Sequence, residues 1–373
     1  MKNRVLLLST IHPATDPRIV LKIAPSLAEH YQVYCCLPNT TKNNKAENIT
    51  TKGLPYFKNL ALRILICHPL ALLKSVLIRP KIVHIFVPEL IPVALILQWF
   101  GATIIYEVQE NLLKKFEIKT YNNSFLFRNF WKLFDKIARK KFNFVFTEHS
   151  YPTYYTDLRH DYEIIHNYAS IDLINQHYKP RFRRTPPEFF YCGIISKERS
   201  FDIMLKAFSI LNLIIPDFKV NLFGPVRISK LELMRIEGFE KLKHRLNFYG
   251  YTDFRVAIKK AEGATAGIAL LKPVADYPES YTTKLFEYMA MELPVITSNF
   301  ALYSDVIEDA NCGFCIDPNS PEILAEKLLW LINNPNEAKN MGENGKKSAV
   351  LNYNWTKEMT KLLMFYKKLE NDN

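Results

Sequence analysis

Short apolar runs with almost no polar interruption recur along the chain, and each is followed by residues with helical periodicity. In the first half they occupy residues 5–9, 32–37, 82–87, 103–108 and 144–147. In the second half they occupy 189–195, 219–223, 246–249, 267–271 and 294–298. Most are apolar throughout rather than alternating apolar with polar positions, which predicts strands covered by helices on both faces. Strand followed by helix, repeated, predicts right-handed βαβ units and parallel sheets. The expected fold class is α/β.

The two sets of runs are separated by Lys179-Pro180-Arg181-Phe182-Arg183-Arg184-Thr185-Pro186-Pro187, whose prolines and charges cannot extend a core element. A chain of 373 residues also exceeds what one core usually serves. We therefore expect a first Rossmann-like domain over 1–170, a linker over 171–187, a second such domain over 188–354, and a final helix over 355–373. Ligands in such sheets bind beyond the carboxyl ends of the strands. Two facing domains would place that crevice between them.

Net charge is +12, which favours anionic partners. The excess is concentrated over 114–141, where Lys114, Lys115, Lys119, Arg128, Lys132, Lys136, Arg139, Lys140 and Lys141 are opposed only by Glu117 and Asp135. Phe125, Phe127, Phe130, Trp131, Phe134 and Ile137 are interleaved, as on an amphipathic surface for an anionic membrane or on a basic helix with an aromatic side in a core. No nucleic-acid-binding motif accompanies the charge, so nucleic acid is not expected as a partner. Of the six cysteines, Cys312 and Cys315 have CxxC spacing but no second pair, and zinc needs about four ligands. Neither metal nor cofactor is expected, and the cysteines read as small buried residues suited to a reducing cytoplasm. The apolar stretch 5–9 is too short for a signal-peptide core. The longest apolar region, 81–100, is broken by His84, Pro88, Glu89 and Pro92, so we expect a soluble or peripheral protein.

Chemistry concentrates in Pro278-Glu279-Ser280-Tyr281-Thr282-Thr283-Lys284-Leu285-Phe286-Glu287-Tyr288-Met289-Ala290. Ser280, Thr282 and Thr283 are plausible caps for a helix through Met291. The N–H groups of Tyr281, Thr282 and Thr283 would then be helix-terminal donors able to cradle a diphosphate, with Lys284 adding a charge. GxGxxG, a P-loop and Asp-x-Asp are all lacking, so a diphosphate would be neutralised by cations and helix ends.

With its Glu-x7-Glu spacing and flanking Lys-Leu-Phe-Glu-Tyr-Met-Ala and Pro-Val-Ile, this segment resembles family 4 of the retaining glycosyltransferases, in particular bacterial members that build surface polysaccharides. The resemblance implies the GT-B fold, with two Rossmann-like domains about a cleft. It also implies a nucleotide-sugar donor, a glycan or lipid-linked acceptor, and no metal. It assigns Glu279 to the donor sugar and Glu287 to the ribose. Gly193-Ile194-Ile195-Ser196-Lys197-Glu198-Arg199-Ser200 resembles the family's turn at the diphosphate, in which Gly193 lets the backbone approach the donor. Arg199 matches the second of its two cations. Ile194 replaces the first, leaving that contact missing or supplied by Lys284, and Ser200 replaces a frequent Gly. Asn167 resembles a structural turn closing the first domain, and the final helix is expected to cross back to that domain.

The acceptor side is less defined. Asp16 either receives the acceptor proton or caps the following helix. Arg18 is a candidate for an acceptor phosphate. His12 is an acceptor-side candidate that also reads as loop packing. Glu110 is a catalytic candidate with helix capping as its alternative. Gln109 stands where related sequences carry His and cannot take a proton. A retaining front-face displacement needs charge stabilisation by Arg199 and Lys284 more than a strong protein base. An inactive nucleotide-sugar-binding or scaffold homologue and a GT-B epimerase remain alternatives. Donor base, sugar and acceptor are not readable from the residues.

Overall fold

The computed structural model describes residues 2–39, 45–111, 114, 125–181 and 183–371. The chain forms two compact units: residues 1–167 with 356–373, and residues 168–355.

The first unit is built on an eight-stranded sheet of β1 (Arg4–Leu8), β2 (Gln32–Pro38), β3 (Lys45–Ala46), β4 (Ile49–Leu54), β5 (Ile82–Ile85), β6 (Thr103–Val108), β7 (Asn143–Phe146) and β8 (Tyr162–Ile164). Their order is β3-β4-β2-β1-β5-β6-β7-β8, and only the β3–β4 pair is antiparallel. β1 takes β2 on one side, Val5 opposite Val33, and β5 on the other, Val5 opposite Ile82. The order therefore reverses at β1/β5, where a crevice opens beyond the strand ends.

The second unit has six parallel strands: β9 (Glu188–Cys192), β10 (Lys219–Phe223), β11 (Leu246–Gly250), β12 (Ala266–Ala269), β13 (Val295–Ser298) and β14 (Gly313–Ile316). Their order is β11-β10-β9-β12-β13-β14, with the reversal at β9/β12. Phe189, Val220, Ile268 and Ile296 pack with Met204, Leu205 and Phe208 of the helix Phe201–Ile214 on one face. Phe190, Ala269 and Val295 pack with Leu285, Tyr288 and Met289 of the helix Thr283–Ala290 on the other. Cover on both faces is why these strands read as uninterrupted apolar runs.

β4, β8 and β14 are not evident in the apolar pattern. β4 has the sequence ITTKGL and is only partly buried, β8 is a three-residue edge, and β14 opens on a glycine. The expected linker over 171–187 is also corrected. Its first part is the helix Ile171–His177, and Ile174 and Tyr178 are buried in the second unit's core. The chain passes from the first unit to the second after Asn167 and returns after Trp355.

The returning helix, Trp355–Asn371, is tied into the first unit by buried polar contacts. Glu358 accepts from the His166 N–H at 2.6 Å, and the Tyr366 hydroxyl meets His84 Nδ1 at 2.7 Å. Asn167 accepts from Lys22 Nζ at 2.8 Å.

Candidate functional site

In the second unit, the residues expected at the donor converge on the β9/β12 reversal. β9 and β12 pair only through Ala266–Phe189 and Gly267–Phe190. Beyond that pair the Tyr288 hydroxyl accepts from the Cys192 N–H at 2.9 Å and donates to Ile268 O at 3.4 Å. It bridges the two strands at their carboxyl ends. Tyr288 reaches this position because Gly267 has no side chain: a Cβ there would lie 2.3 Å from the ring.

Gly193 follows β9, and two cations gather against it. A Cβ on Gly193 would lie 2.1 Å from Lys284 Cε, 2.8 Å from Lys284 Nζ and 3.4 Å from an Arg199 guanidinium nitrogen. Arg199 lies beside Tyr191 and Tyr277, its guanidinium carbon 5.9 Å from the centre of the Tyr277 ring. Among the described residues, neither Arg199 nor Lys284 is in an ion pair. Burial and then the neighbouring Arg199 push the Lys284 ammonium down to about 8. The Ile194 carbonyl accepts from the Tyr191 hydroxyl at 2.6 Å.

Of the three expected capping residues, Thr282 takes the N-cap position, without a side-chain cap bond, and Thr283 is the first helical residue. The Leu285 N–H bonds Thr282 O at 3.2 Å, which leaves the N–H groups of Thr283 and Lys284 as the terminal donors. Tyr281 contributes packing: its ring meets Phe286 at 5.1 Å and Tyr303 at 6.4 Å. Glu287 is buried beside Cys192 and Lys284 and raises the Cys192 thiol, whose main cause of elevation is burial.

Glu279 ends the short turn Tyr277–Glu279 and is half-exposed. Tyr303, fully buried, holds this loop by donating to Ser280 O at 2.8 Å. Lys272, after β12, donates its N–H to Glu198 O at 2.8 Å and its ammonium to Asp202 at 2.8 Å, joining the β12 loop to the Gly193–Arg199 turn. Tyr288, Tyr303 and Lys272 were missed in the sequence because each reads as ordinary helix or loop.

In the first unit the acceptor-side candidates divide. Arg18 is corrected: it is buried, with Nε donating to Glu107 Oε1 at 2.8 Å and its terminal nitrogens to the carbonyls of Ile165 and His166 at 2.9 and 3.3 Å. Burial alone would raise Glu107, but Arg18 and His84 hold it far below the usual carboxylate range. Gln109 joins the same group, donating to Glu107 Oε1 at 2.6 Å. Asp16 is a cap, accepting from the Ile19 N–H at 2.9 Å. His12 packs in its loop, with Nδ1 2.9 Å from Ser9 Oγ and its ring edge-on to Phe86. Glu110 is exposed.

Sequence reasoning passed over the residues that do meet at the β1/β5 reversal. Buried Glu89 accepts from Thr10 and pairs with Arg63 at 2.7 Å. A cavity of about 290 Å³ is lined by Pro88 and Asn111 beyond β5 and β6, and by Trp131, Lys132, Lys136 and Tyr154 among others. None of the predicted acceptor residues lines it. Within the basic segment, Lys115, Glu117, Lys119 and the side chains of Phe125, Phe127, Arg128 and Phe130 lie outside the described residues. Arg139 is bound to Asp135 at 2.6 Å and lies over the Tyr155 ring. Among the described residues no group of three or more His, Cys, Asp or Glu could hold a metal ion, and all six cysteines are free.

Residues 174–348 match the family profile of glycosyl transferases group 1. An uncharacterized glycosyltransferase of Methanocaldococcus jannaschii is 26% identical over 179 residues, 48% of this chain and 47% of the relative. The chain thus spans less than half the length of that relative. Sucrose-phosphate synthase of Thermosynechococcus elongatus has the same fold, with a TM-score of 0.78 at 15% identity over 100% of both chains. The Anabaena protein HepE, solved in complex with UDP-glucose, superimposes with a TM-score of 0.70 at 12% identity, covering 99% of this chain and 100% of that one. The fold is GT-B.

Two substitutions test this division of residues. Arg18→Met should strand Glu107 in the core and cost about 3–5 kcal/mol in chemical denaturation. A variant of unchanged stability but raised acceptor KM would return Arg18 to the acceptor site. Gly267→Ala should displace the Tyr288 ring, cost about 1–3 kcal/mol, and weaken nucleotide binding. A denaturation midpoint equal to wild type would show that Tyr288 does not depend on that space.

Proposed function

We propose, from the premise that residues 174–348 form a group 1 glycosyl transferase domain, that the protein moves a sugar from a nucleoside-diphosphate sugar to a glycan or lipid-linked acceptor. The reading includes retention of anomeric configuration, independence of metal, and a place in surface-polysaccharide synthesis. The observation that carries it is the pair of cations at Gly193 beside the uncapped helix start at Thr283. Two half-buried positive groups and two terminal N–H groups on one crevice suit a diphosphate. UDP-glucose in the Anabaena neighbour supports a donor of that class.

In this reading Arg199, Lys284 and the N–H groups of Thr283 and Lys284 bind the donor diphosphate. Glu287 accepts from the ribose hydroxyls, and Glu279 orients the donor sugar. The bond between the anomeric carbon and the phosphate oxygen breaks. The acceptor oxygen bonds that carbon from the same face, and its proton passes to the departing phosphate. The cations stabilise the charge that grows on the leaving group, which is where preorganised charge acts most strongly. A separate strong base is unnecessary, consistent with the structural duties of Asp16, Arg18 and Gln109.

A panel of nucleotide sugars titrated in chelator tests this. One donor should bind, and Glu287→Ala and Lys284→Met should each weaken it by about 10–100-fold, the loss expected for a charge-assisted hydrogen bond. Chelator should change nothing, and NMR of the product should show the donor's anomeric configuration. No binding by any donor, or equal binding by both variants, would contradict the site. Inverted product would contradict the mechanism alone.

A further inference from the structure

One helix of the first unit reverses the sidedness expected at a protein surface. The helix Leu60–Ile78 spans 19 residues. It turns Cys67, Ala71, Ser75 and Ile78 inward, a stripe of mostly small side chains. The inner polar groups are satisfied: Ser75 Oγ donates to Ala71 O at 2.6 Å and Cys67 Sγ to Pro55 O at 3.3 Å. Its large residues face outward, with Leu65 72% and Leu77 73% exposed and Leu62, Ile64, Leu73 and Val76 also open. A helix facing water carries polar residues there. By length and composition it could cross a membrane, but Ala71 and Ile78 are packed into the first unit's core, so it lies on that unit. The sequence reading placed the longest apolar region at 81–100 and did not single out this one.

The apolar surface continues on the adjacent helix Ile91–Trp99, where Trp99 is 86% and Phe100 68% exposed. Gln98 donates to Lys141 O at 2.7 Å, which sets the end of the third helix, Phe125–Lys141, beside Trp99. Exposed Lys140 and Lys141 enter the rim there, and exposed Arg79 follows the first helix. Leu60–Ile78 and Ile91–Trp99 contain no carboxylate. Of those close by, Glu89 is buried on Arg63 and Asp135 is bound to Arg139. Exposed aliphatic and aromatic side chains bordered by Arg79, Lys140 and Lys141 match the boundary between acyl chains and anionic headgroups.

We propose that this face seats the first unit on an anionic phospholipid bilayer. Leu65, Leu73, Leu77, Trp99 and Phe100 enter the acyl boundary, and Arg79, Lys140 and Lys141 meet lipid phosphates. A second copy of the chain fits less well, because an isologous contact sets one basic rim against another. The inference goes beyond the glycosyl-transfer reading and stands without it.

The test is co-sedimentation of the full chain with vesicles of phosphatidylcholine alone or with about one third phosphatidylglycerol. Binding should require the anionic lipid and fall in high salt. Leu65→Gln, Leu73→Gln and Leu77→Gln together should lower the partition coefficient by about tenfold or more. A second readout uses the wild-type protein: bromine on the acyl chains should quench Trp99 fluorescence, and Trp99→Phe should remove that quenching. Absence of binding, equal binding to neutral vesicles, or quenching unchanged in Trp99→Phe would overturn the proposal. So would light scattering that shows a dimer which the triple variant converts to a monomer.

Discussion

The proposed donor site depends on holding two half-buried positive side chains together, neither of them in an ion pair among the described residues. Arg199 and Lys284 meet over Gly193, and the Lys284 ammonium is pushed down to about 8 as a result. Such a juxtaposition opposes folding in the absence of an anion. It persists because each cation is fixed by a rigid element. Arg199 sits on a turn held by the Tyr191 hydroxyl and the Lys272 N–H, while Lys284 belongs to the first turn of a helix whose following residues are buried. The Tyr288 bridge between β9 and β12 fixes that helix against the sheet. In the proposed function, that cost in the free protein becomes preorganisation for an anion.

The first unit uses similar residue types in the opposite way. Arg18, Glu107, His84, Gln109 and Tyr366 form one buried network in which charges are neutralised within the protein. Removing any charged member would leave another uncompensated in the core. The contrast between paired and unpaired charge separates scaffold from the proposed site more sharply than residue type does. On the same criterion, Glu89 and Arg63 are scaffold that borders a crevice.

Much of the second unit was legible in the sequence because its strands are covered on both faces and its helix start carries a dense local pattern. Gly193, Arg199, Lys284 and Glu287 were named as donor candidates from two short segments, and folding brings those segments together at a strand reversal. Arg18 was misread because Asp-Pro-Arg-Ile after a strand looks the same whether its cation faces solvent or the core. Glu107 held the missing signal: a carboxylate inside an otherwise apolar strand must be paired. The outward apolar face of Leu60–Ile78 was hidden because composition does not tell which side of a helix is buried.

The central claim is that Lys284 waits, partly deprotonated, for a diphosphate. It can be measured by isothermal titration of UDP at pH 8 in buffers of different ionisation enthalpy. The account predicts that binding takes up about half a proton, because an anion beside Lys284 restores its ordinary protonation, and that uptake disappears in Lys284→Met. Tight binding with no proton uptake in the wild-type protein would mean that Lys284 does not contact the diphosphate.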